Sequence, residues 1–113
     1  SSELINWTLN EENSRFHITV GVDYSSDIHK VMKIMNDAAT KHAEVSNYPK
    51  PFVLFEDYAD SSLIFTVYFW VIGVFKVEKI QSEIRIEILE KFREEGVTIP
   101  FPQRVVYTKE VSE

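Results

Sequence analysis

Residues 63–74 read Leu-Ile-Phe-Thr-Val-Tyr-Phe-Trp-Val-Ile-Gly-Val, and this apolar run decides the fold. Its β-branched and aromatic side chains favour a β-strand, and a helix that spans a membrane needs roughly 20 apolar residues, more than the run supplies. Successive side chains of a strand point to opposite faces of a sheet. One row is therefore expected to face helices, namely Leu63, Phe65, Val67, Phe69 and Val71, and the other holds Ile64, Thr66, Tyr68, Trp70 and Ile72.

Upstream of this strand, the sequence predicts a strand, a helix and a second strand. Residues Arg15–Tyr24 alternate between apolar and polar side chains, which is typical of a half-buried strand. Asp27 is the best candidate for a helix N-cap, and the helix behind it has an apolar stripe made of Ile28, Val31, Met32, Met35, Ala38, Ala39 and His42. Pro49 and Pro51 break the helical pattern, and Phe52–Glu56 is predicted to be the second strand.

Downstream, the sequence predicts one more helix and one more strand. The helix is marked by Val77, Ile80, Ile84, Ile88, Leu89 and Phe92 and should end at Gly96, and Arg104–Thr108 is predicted to be the last strand. The order β-α-β-β-α-β predicts an α+β fold, a ferredoxin-like two-layer sandwich with a four-stranded antiparallel sheet and two helices on one face. Residues 14–113 would form this domain, and residues 1–13 would be the tail of an upstream unit.

The outward row of the long strand is too apolar for a face that lies in water. A two-layer sandwich covers only one face of its sheet, so the strand should be polar on the other. Tyr68, Trp70 and Ile72 therefore make a candidate subunit interface, because large amphipathic aromatics are enriched at protein contacts. In the alternative, neighbouring loops of the same chain cover the row. Phe101, in the stiff extended segment Pro100-Phe101-Pro102, is expected to be buried or to pack against an adjacent subunit.

Composition and residue spacing argue against several classes of function. The formal net charge of −6 opposes a nucleic-acid surface, and the lack of cysteine excludes disulfides and thiolate chemistry. His17, His29 and His42 have no metal-ligand spacing, and Ser61 and Ser62 lack the setting of a nucleophile. The acids between Glu56 and Asp60 lack a calcium-loop pattern. We therefore predict no catalytic, metal or cofactor site, and no enzyme.

Four segments of the sequence resemble motifs of one family. Val20-Gly21-Val22-Asp23-Tyr24-Ser25-Ser26-Asp27 resembles the V-G-V-x-Y-x-x-D segment that opens the carboxy-terminal domain of small-conductance mechanosensitive (MscS-type) channels. Pro49-Lys50-Pro51, Asp60-Ser61-Ser62-Leu63 and Gly96-Val97-Thr98-Ile99-Pro100-Phe101-Pro102-Gln103-Arg104 resemble three later motifs. Upstream, Ile5-Asn6-Trp7-Thr8 looks like the exit from the family's middle β-domain, so the tail 1–13 would belong to that domain.

The resemblance assigns structural roles to the motif residues, namely Gly21, Tyr24, Asp27, Asp60, Ser61, Ser62, Pro100, Pro102, Gln103 and Arg104. Two positions depart from the family pattern. Ile28 stands where proline is usual after Asp27, which should cost a little helix stability. Ala59 stands where glycine often precedes D-S-S-L, and the turn at this position is therefore expected to have a slightly different conformation.

The resemblance implies a homo-heptameric channel that opens under membrane tension on hypo-osmotic shock. This domain would be part of a cage on the cytoplasmic face of the inner membrane, through which ions and small osmolytes reach the pore. The chain would bind other copies of itself and no nucleic acid, and would meet the membrane only through a missing amino-terminal part. An alternative is a stand-alone ferredoxin-like module that binds a ligand or RNA, because sheet aromatics such as Tyr68 and Trp70 can stack on bases.

Overall fold

The structure, a computed structural model, describes residues 12–100. In chain order the elements are β1 (Asn13–Val22), α1 (Ile28–Thr40), β2 (Phe52–Tyr58), β3 (Leu63–Ile72) and α2 (Val77–Glu95). The three strands form one antiparallel sheet in the order β1-β3-β2. The long apolar run is therefore the strand between the other two, with a hydrogen-bonded neighbour on each side.

The hydrophobic core lies between the two helices and one face of this sheet. The predicted inward row of β3 is buried in full, because Leu63, Phe65, Val67, Phe69 and Val71 are each at most 7% exposed. From the helices, the core takes Val31, Ile34, Met35, Ala38, Ala39, Ile80, Ile84, Ile88 and Phe92. The prediction of an α+β fold with two helices and an antiparallel sheet is thus confirmed.

Both helices begin and end close to the predicted residues. Asp27 is the N-cap of α1, since its Oδ1 accepts hydrogen bonds from the backbone N–H groups of His29 (3.1 Å) and Lys30 (3.2 Å). Helix α1 therefore starts at Ile28 without the proline that is usual there. Gly96 follows α2 at φ 77°, a left-handed conformation that only glycine adopts without strain.

Four predicted ends differ from those observed, and the first is that of β2, which runs to Tyr58 and not only to Glu56. Strand β3 ends at Ile72 and not at Val74, because Gly73 has φ 82° and turns the chain out of the sheet. Strand β1 ends at Val22, where a turn closed by Ser26 N–H on the Asp23 carbonyl (3.0 Å) begins. Helix α1 ends at Thr40, so His42 lies beyond it. The predicted strand Arg104–Thr108 lies outside the described residues.

No helix within residues 12–100 is long and apolar enough to cross a membrane.

The cap on α1 allows a stability test with an internal control. Asp27→Ala should lower the free energy of unfolding by about 1 kcal/mol, because it removes the acceptor for two backbone donors. Lys76, the residue before α2, makes no side-chain capping bond, so Lys76→Ala should change stability much less. Urea denaturation followed by circular dichroism measures both. Equal effects of the two substitutions would contradict the role given to Asp27.

Candidate functional site: the open face of the sheet

Among residues 12–100, both helices pack on the same face of the sheet, and we call the other face the open face. Strand β3 contributes Ile64, Thr66, Tyr68, Trp70 and Ile72 to it, as the alternation predicted. Strand β2 adds Phe52 and Leu54, which pair with Tyr68 and Thr66, and β1 adds Arg15, His17 and Thr19. Several apolar side chains on this face remain exposed to solvent, including Ile72 at 61% and Leu54 at 46%.

The aromatic rings of the open face form one connected cluster around Tyr68. The Phe52 ring stacks on Tyr68 with 5.1 Å between centroids, and it lies 6.1 Å from the Trp70 ring. The His17 ring lies 5.8 Å from Tyr68 on the other side. Ring contacts of this kind hold side chains in one arrangement. The cluster is therefore an ordered surface and not a set of independent exposed side chains.

Two charged groups from opposite edges of the sheet converge on Tyr68. The Arg15 guanidinium carbon lies 4.9 Å from the centre of the Tyr68 ring, in the geometry of a cation–π contact. The Tyr68 hydroxyl donates a hydrogen bond of 2.6 Å to Glu56 Oε2. This bond to the carboxylate raises the pKa of the Tyr68 phenol above its ordinary value, since the bond is lost on ionisation.

The polar residues beneath this cluster are satisfied within the sheet. Thr66 is only 3% exposed, and its hydroxyl lies 3.0 Å from the Thr19 hydroxyl on the neighbouring strand. The open face thus presents apolar and aromatic area with a few fixed polar groups, the composition of a protein contact surface. Its side chains include no nucleophile paired with a base, so the arrangement favours binding over catalysis.

Three motif residues meet at the end of the sheet where β1 stops. Gly21 pairs with Ile64, and a methyl group on Gly21 would lie 2.9 Å from the Ser62 hydroxyl oxygen. A side chain at position 21 would therefore force the Ser62 side chain to shift. The Tyr24 hydroxyl donates to the backbone carbonyl of Ala59 in the β2–β3 turn, and the Ala59 N–H bonds the Ser62 carbonyl at 2.8 Å. The V-G-V-x-Y and D-S-S-L motifs therefore contact each other and join the end of β1 to the β2–β3 turn.

The other motif residues lie near this end or outside the described part of the chain. Asp60 and Ser61 belong to the β2–β3 turn, where the Asp60 carbonyl lies 3.3 Å from the Tyr24 hydroxyl. Pro100 is half-buried at the end of the described residues. The motif residues Pro102, Gln103 and Arg104 lie outside them, as does the interface candidate Phe101. None of the described motif residues lies on the aromatic cluster.

The three histidines do not come together. His17 is on the open face, His29 is exposed on α1, and His42 lies between the helices, with Nε2 at 2.6 Å from Glu83 Oε1. The Glu44 N–H donates to His42 Nδ1 at 3.0 Å, so this histidine links the end of α1 to α2. Within residues 12–100, no group of three His, Asp or Glu side chains could hold a metal ion.

Sequence reasoning missed Phe52, Leu54, Arg15 and Glu56 as parts of this surface. Residues 52–55 are all apolar, so the sequence alone did not show which side of β2 faces the helices. The register of β2 against β3 settles it, because Phe52 lies beside Tyr68. The polar positions of β1 carried a usable signal, since Arg15 and His17 alternate with apolar neighbours.

Residues 16–99 match the sequence profile of a family described as mechanosensitive ion channel MscS, C-terminal. The chain belongs to this MscS family. The match covers every strand and helix described here, apart from the first residues of β1. The resemblance found in the motifs is thereby confirmed, and the named relatives are channels and not enzymes.

Curated MscS relatives extend well beyond this chain. Mechanosensitive channel MscK of Escherichia coli is 41% identical over 63 residues, which is 56% of this chain and 6% of MscK. An MscS family protein of Archaeoglobus fulgidus is 31% identical over 93 residues, which is 82% of this chain and 32% of that protein. The chain thus spans about a third or less of each of these two relatives.

Solved MscS structures share the fold. The crystal structure of Helicobacter pylori MscS in a closed state matches with a TM-score of 0.71 and 28% identity, over 83% of this chain and 37% of that one. Arabidopsis thaliana MSL1 matches with a TM-score of 0.66 over 80% of this chain and 34% of that one. Its identity of 15% supports the fold alone.

The Tyr68–Glu56 bond predicts how this phenol titrates. Tyr68 should ionise above the ordinary tyrosine pKa of about 10, and Glu56→Gln should bring its pKa back down, because the neutral amide no longer disfavours the phenolate. Because the pKa of Tyr68 is higher in the folded than in the unfolded state, the bond contributes its full stability at pH values below the unfolded-state pKa. That contribution is lost as the pH rises through the folded-state pKa. Absorbance of tyrosinate against pH, with Tyr68→Phe subtracted, measures the shift. An unchanged titration in Glu56→Gln would show that the bond is not formed.

Proposed function

We propose that this chain is the vestibule and assembly domain of a homo-heptameric channel that opens under membrane tension on hypo-osmotic shock. It would lie on the cytoplasmic face of the inner membrane, where ions and small osmolytes pass through the cage to reach the pore. The proposal is carried by the MscS family match over residues 16–99. Membership explains why an ordered aromatic face is left without a covering layer, since a domain of a multi-subunit cage has neighbours that can cover it.

The contact between subunits is assigned to the open face, with Tyr68, Trp70 and Ile72 as its centre. Ile72 is 61% exposed, and Phe52, which stacks on Tyr68 on the same face, is 36% exposed. Burial of apolar area yields roughly 25 cal/mol per Å² removed from water. The rings already hold one another in place, so little side-chain freedom is lost when a partner arrives. Phe101 is proposed to extend this contact from the segment that follows Pro100.

We assign the fourth strand of the ferredoxin-like sheet to Arg104–Thr108, paired with β1. The domain would then span residues 14–113, with residues 1–13 as the tail of an upstream β-domain. The path of the chain supports this pairing, because the Thr98 carbonyl accepts a hydrogen bond of 2.9 Å from Asp23 N–H, just past the end of β1. A chain that leaves this point antiparallel to β1 runs along its free edge.

The backbone of β1 fixes which residues this fourth strand can reach. The Glu12 carbonyl accepts from Gly73 N–H at 3.1 Å, so even-numbered residues bond to β3 and odd-numbered ones face the free edge. Continuing the register of Asp23 with Thr98 places Pro100 and Pro102 opposite Gly21 and Thr19. Proline has no N–H to donate. Regular pairing therefore starts at Arg104, opposite His17 and the residues before it.

Hydrogen exchange tests this pairing within one strand. Removing residues 104–113 should speed the exchange of the Arg15 and His17 amides by about tenfold or more, because their acceptors would be lost. The Phe16 and Ile18 amides bond to β3 and should keep their protection, which makes them the matched control. Unchanged exchange at Arg15 and His17 would rule out the fourth strand at this edge.

Assembly of the full-length channel tests the role of the open face. Trp70→Ser together with Ile72→Ser should reduce the heptamer fraction about tenfold or more, because it replaces the centre of the contact by polar side chains. Ile86→Ser is the control, since Ile86 is 53% exposed but lies on α2, away from this face. Native mass spectrometry of the detergent-solubilised channel counts the subunits. Normal heptamers in the double variant would reject the open face as the contact.

The same variants connect assembly to channel activity. Cells that depend on this channel should survive hypo-osmotic shock with Ile86→Ser and lose survival with the double variant. If the double variant assembles poorly and the cells still survive, the heptamer is not the unit that releases osmolytes.

A further inference from the structure

The end of the sheet where β1 and β2 begin is basic, and we call it the basic end. Strand β3 stops there, since Asn13 pairs with Ile72 and Phe52 with Tyr68. The three chain segments beside this end are residues 12–17, 46–52 and 70–76. They contain one carboxylate and three basic side chains, and these four are Glu12, Arg15, Lys50 and Lys76. The local balance is thus positive in a chain whose formal net charge is −6.

The opposite end of the sheet, where β1 and β2 stop, is acidic, and we call it the acidic end. Here Val22 and Tyr58 both pair with Leu63, the first residue of β3. Residues 18–27 and 55–64 lie around this end and contain no lysine or arginine. Their five carboxylates are those of Asp23, Asp27, Glu56, Asp57 and Asp60. The sheet is therefore charged oppositely at its two ends.

The two ends are too far apart to neutralise each other within one copy. The ten residues of β3 separate them, which corresponds to about 30 Å at ~3.3 Å per residue. The interaction between exposed charges is largely screened beyond about 8 Å at physiological ionic strength. The opposite charges of the two ends therefore attract each other only between copies, in a contact that joins unlike ends.

Each end also exposes apolar side chains. At the basic end Ile72 is 61% exposed and Phe75 is 82% exposed. At the acidic end Tyr58 is 73% exposed, and its ring meets the Phe55 ring edge-on, with 5.1 Å between centroids. Phe55 in turn stacks on the buried Phe65 at 5.0 Å, so this pair of rings is held on the helix side of the sheet. Ile72 lies on the open face, so the two apolar areas are at opposite ends and on opposite faces.

A ring of seven copies needs a contact between two different surfaces of the chain. An odd ring cannot be closed by twofold contacts, so neighbouring copies are joined head to tail. We propose that the basic end and the adjoining open face of one copy pack against the acidic end of the next, with Tyr58 against Trp70 and Ile72. Asp57 and Asp60 then face the basic side chains. The inference rests on the proposed heptamer, and it names the surface that meets the open face.

Charge complementarity favours a second copy over a nucleic acid as the partner of the basic end. A nucleic acid would match the basic side chains, but it would leave Tyr58 and the carboxylates of the acidic end uncovered. A second copy covers both ends with one kind of contact. Opposite potentials on the two surfaces also fix the orientation in which the copies meet.

Charge reversal tests this contact in the full-length channel. Lys50→Glu with Lys76→Glu makes the basic end negative, and Asp57→Lys with Asp60→Lys makes the acidic end positive. Each pair of changes should reduce the heptamer fraction about tenfold, because like charges then meet. All four changes together exchange the signs of the two ends and should restore the fraction to within about twofold of that of the unchanged channel. Native mass spectrometry measures the fraction.

Lys33→Glu with Lys91→Glu is the matched control. It changes the net charge as much as reversal of the basic end does, but both lysines lie on the helices, with side chains 76% and 45% exposed. This control should leave the heptamer fraction unchanged. Heptamers that survive either reversal, or a loss that all four changes together do not restore, would overturn the proposal.

Crosslinking separates this contact from the heptamer itself. The 113 residues contain no cysteine, so Lys50→Cys and Asp60→Cys can supply the only two thiols of a full-length channel from which any other cysteine has been removed. A short bismaleimide should then link copies into a ladder of up to seven on denaturing gels, whereas either single substitution should give nothing beyond a dimer. Heptamers without the ladder would reject the contact and leave the proposed function standing, and a channel that forms no heptamer would reject both.

Discussion

The structure depends on one geometric constraint, which is that two helices cover only one face of a sheet. Strand β3 lies between β1 and β2, so its inward row can be buried completely, and Phe65, Val67 and Phe69 are. The same alternation sends Tyr68, Trp70 and Ile72 to the other side, where the chain has no second layer to offer within the described residues. One strand thus supplies both the buried row that stabilises the domain and the apolar row on its open face.

Much of this arrangement could be predicted, and the failures have physical causes. The two rows of β3, the stripe of α2 and the Asp27 cap all follow from local periodicity and capping chemistry. The end of β3 does not, because the left-handed φ of Gly73 outweighs the strand preference of Val74. The aromatic cluster could not be predicted from local sequence patterns either, because it depends on the register of β2 against β3. Only the pairing of β2 with β3 brings Phe52 onto the Tyr68 ring.

The motif residues Gly21, Tyr24 and Ser62 make contacts that join separate elements of the fold. Gly21 and Ser62 are far apart in sequence, yet the absent side chain of one makes room for the hydroxyl of the other. Tyr24 reaches the turn between β2 and β3 from the turn that follows β1. These contacts tie three elements together at one end of the sheet. The contacts made by Gly21, Ser62 and Tyr24 therefore lie away from the aromatic cluster around Tyr68.

The edges of the sheet indicate why assembly should use the open face. An unprotected edge strand is a template for pairing with another chain. Here the edge carbonyl of His17 already accepts from Gln81 Nε2 at 3.2 Å, and a register shift at Glu56 interrupts β2. The rest of the β1 edge is where we propose that Arg104–Thr108 pairs. With the β2 edge interrupted and the β1 edge assigned to the chain's own fourth strand, a neighbouring copy would gain most by packing on side chains, and the aromatic cluster around Tyr68 offers apolar area for that proposed contact.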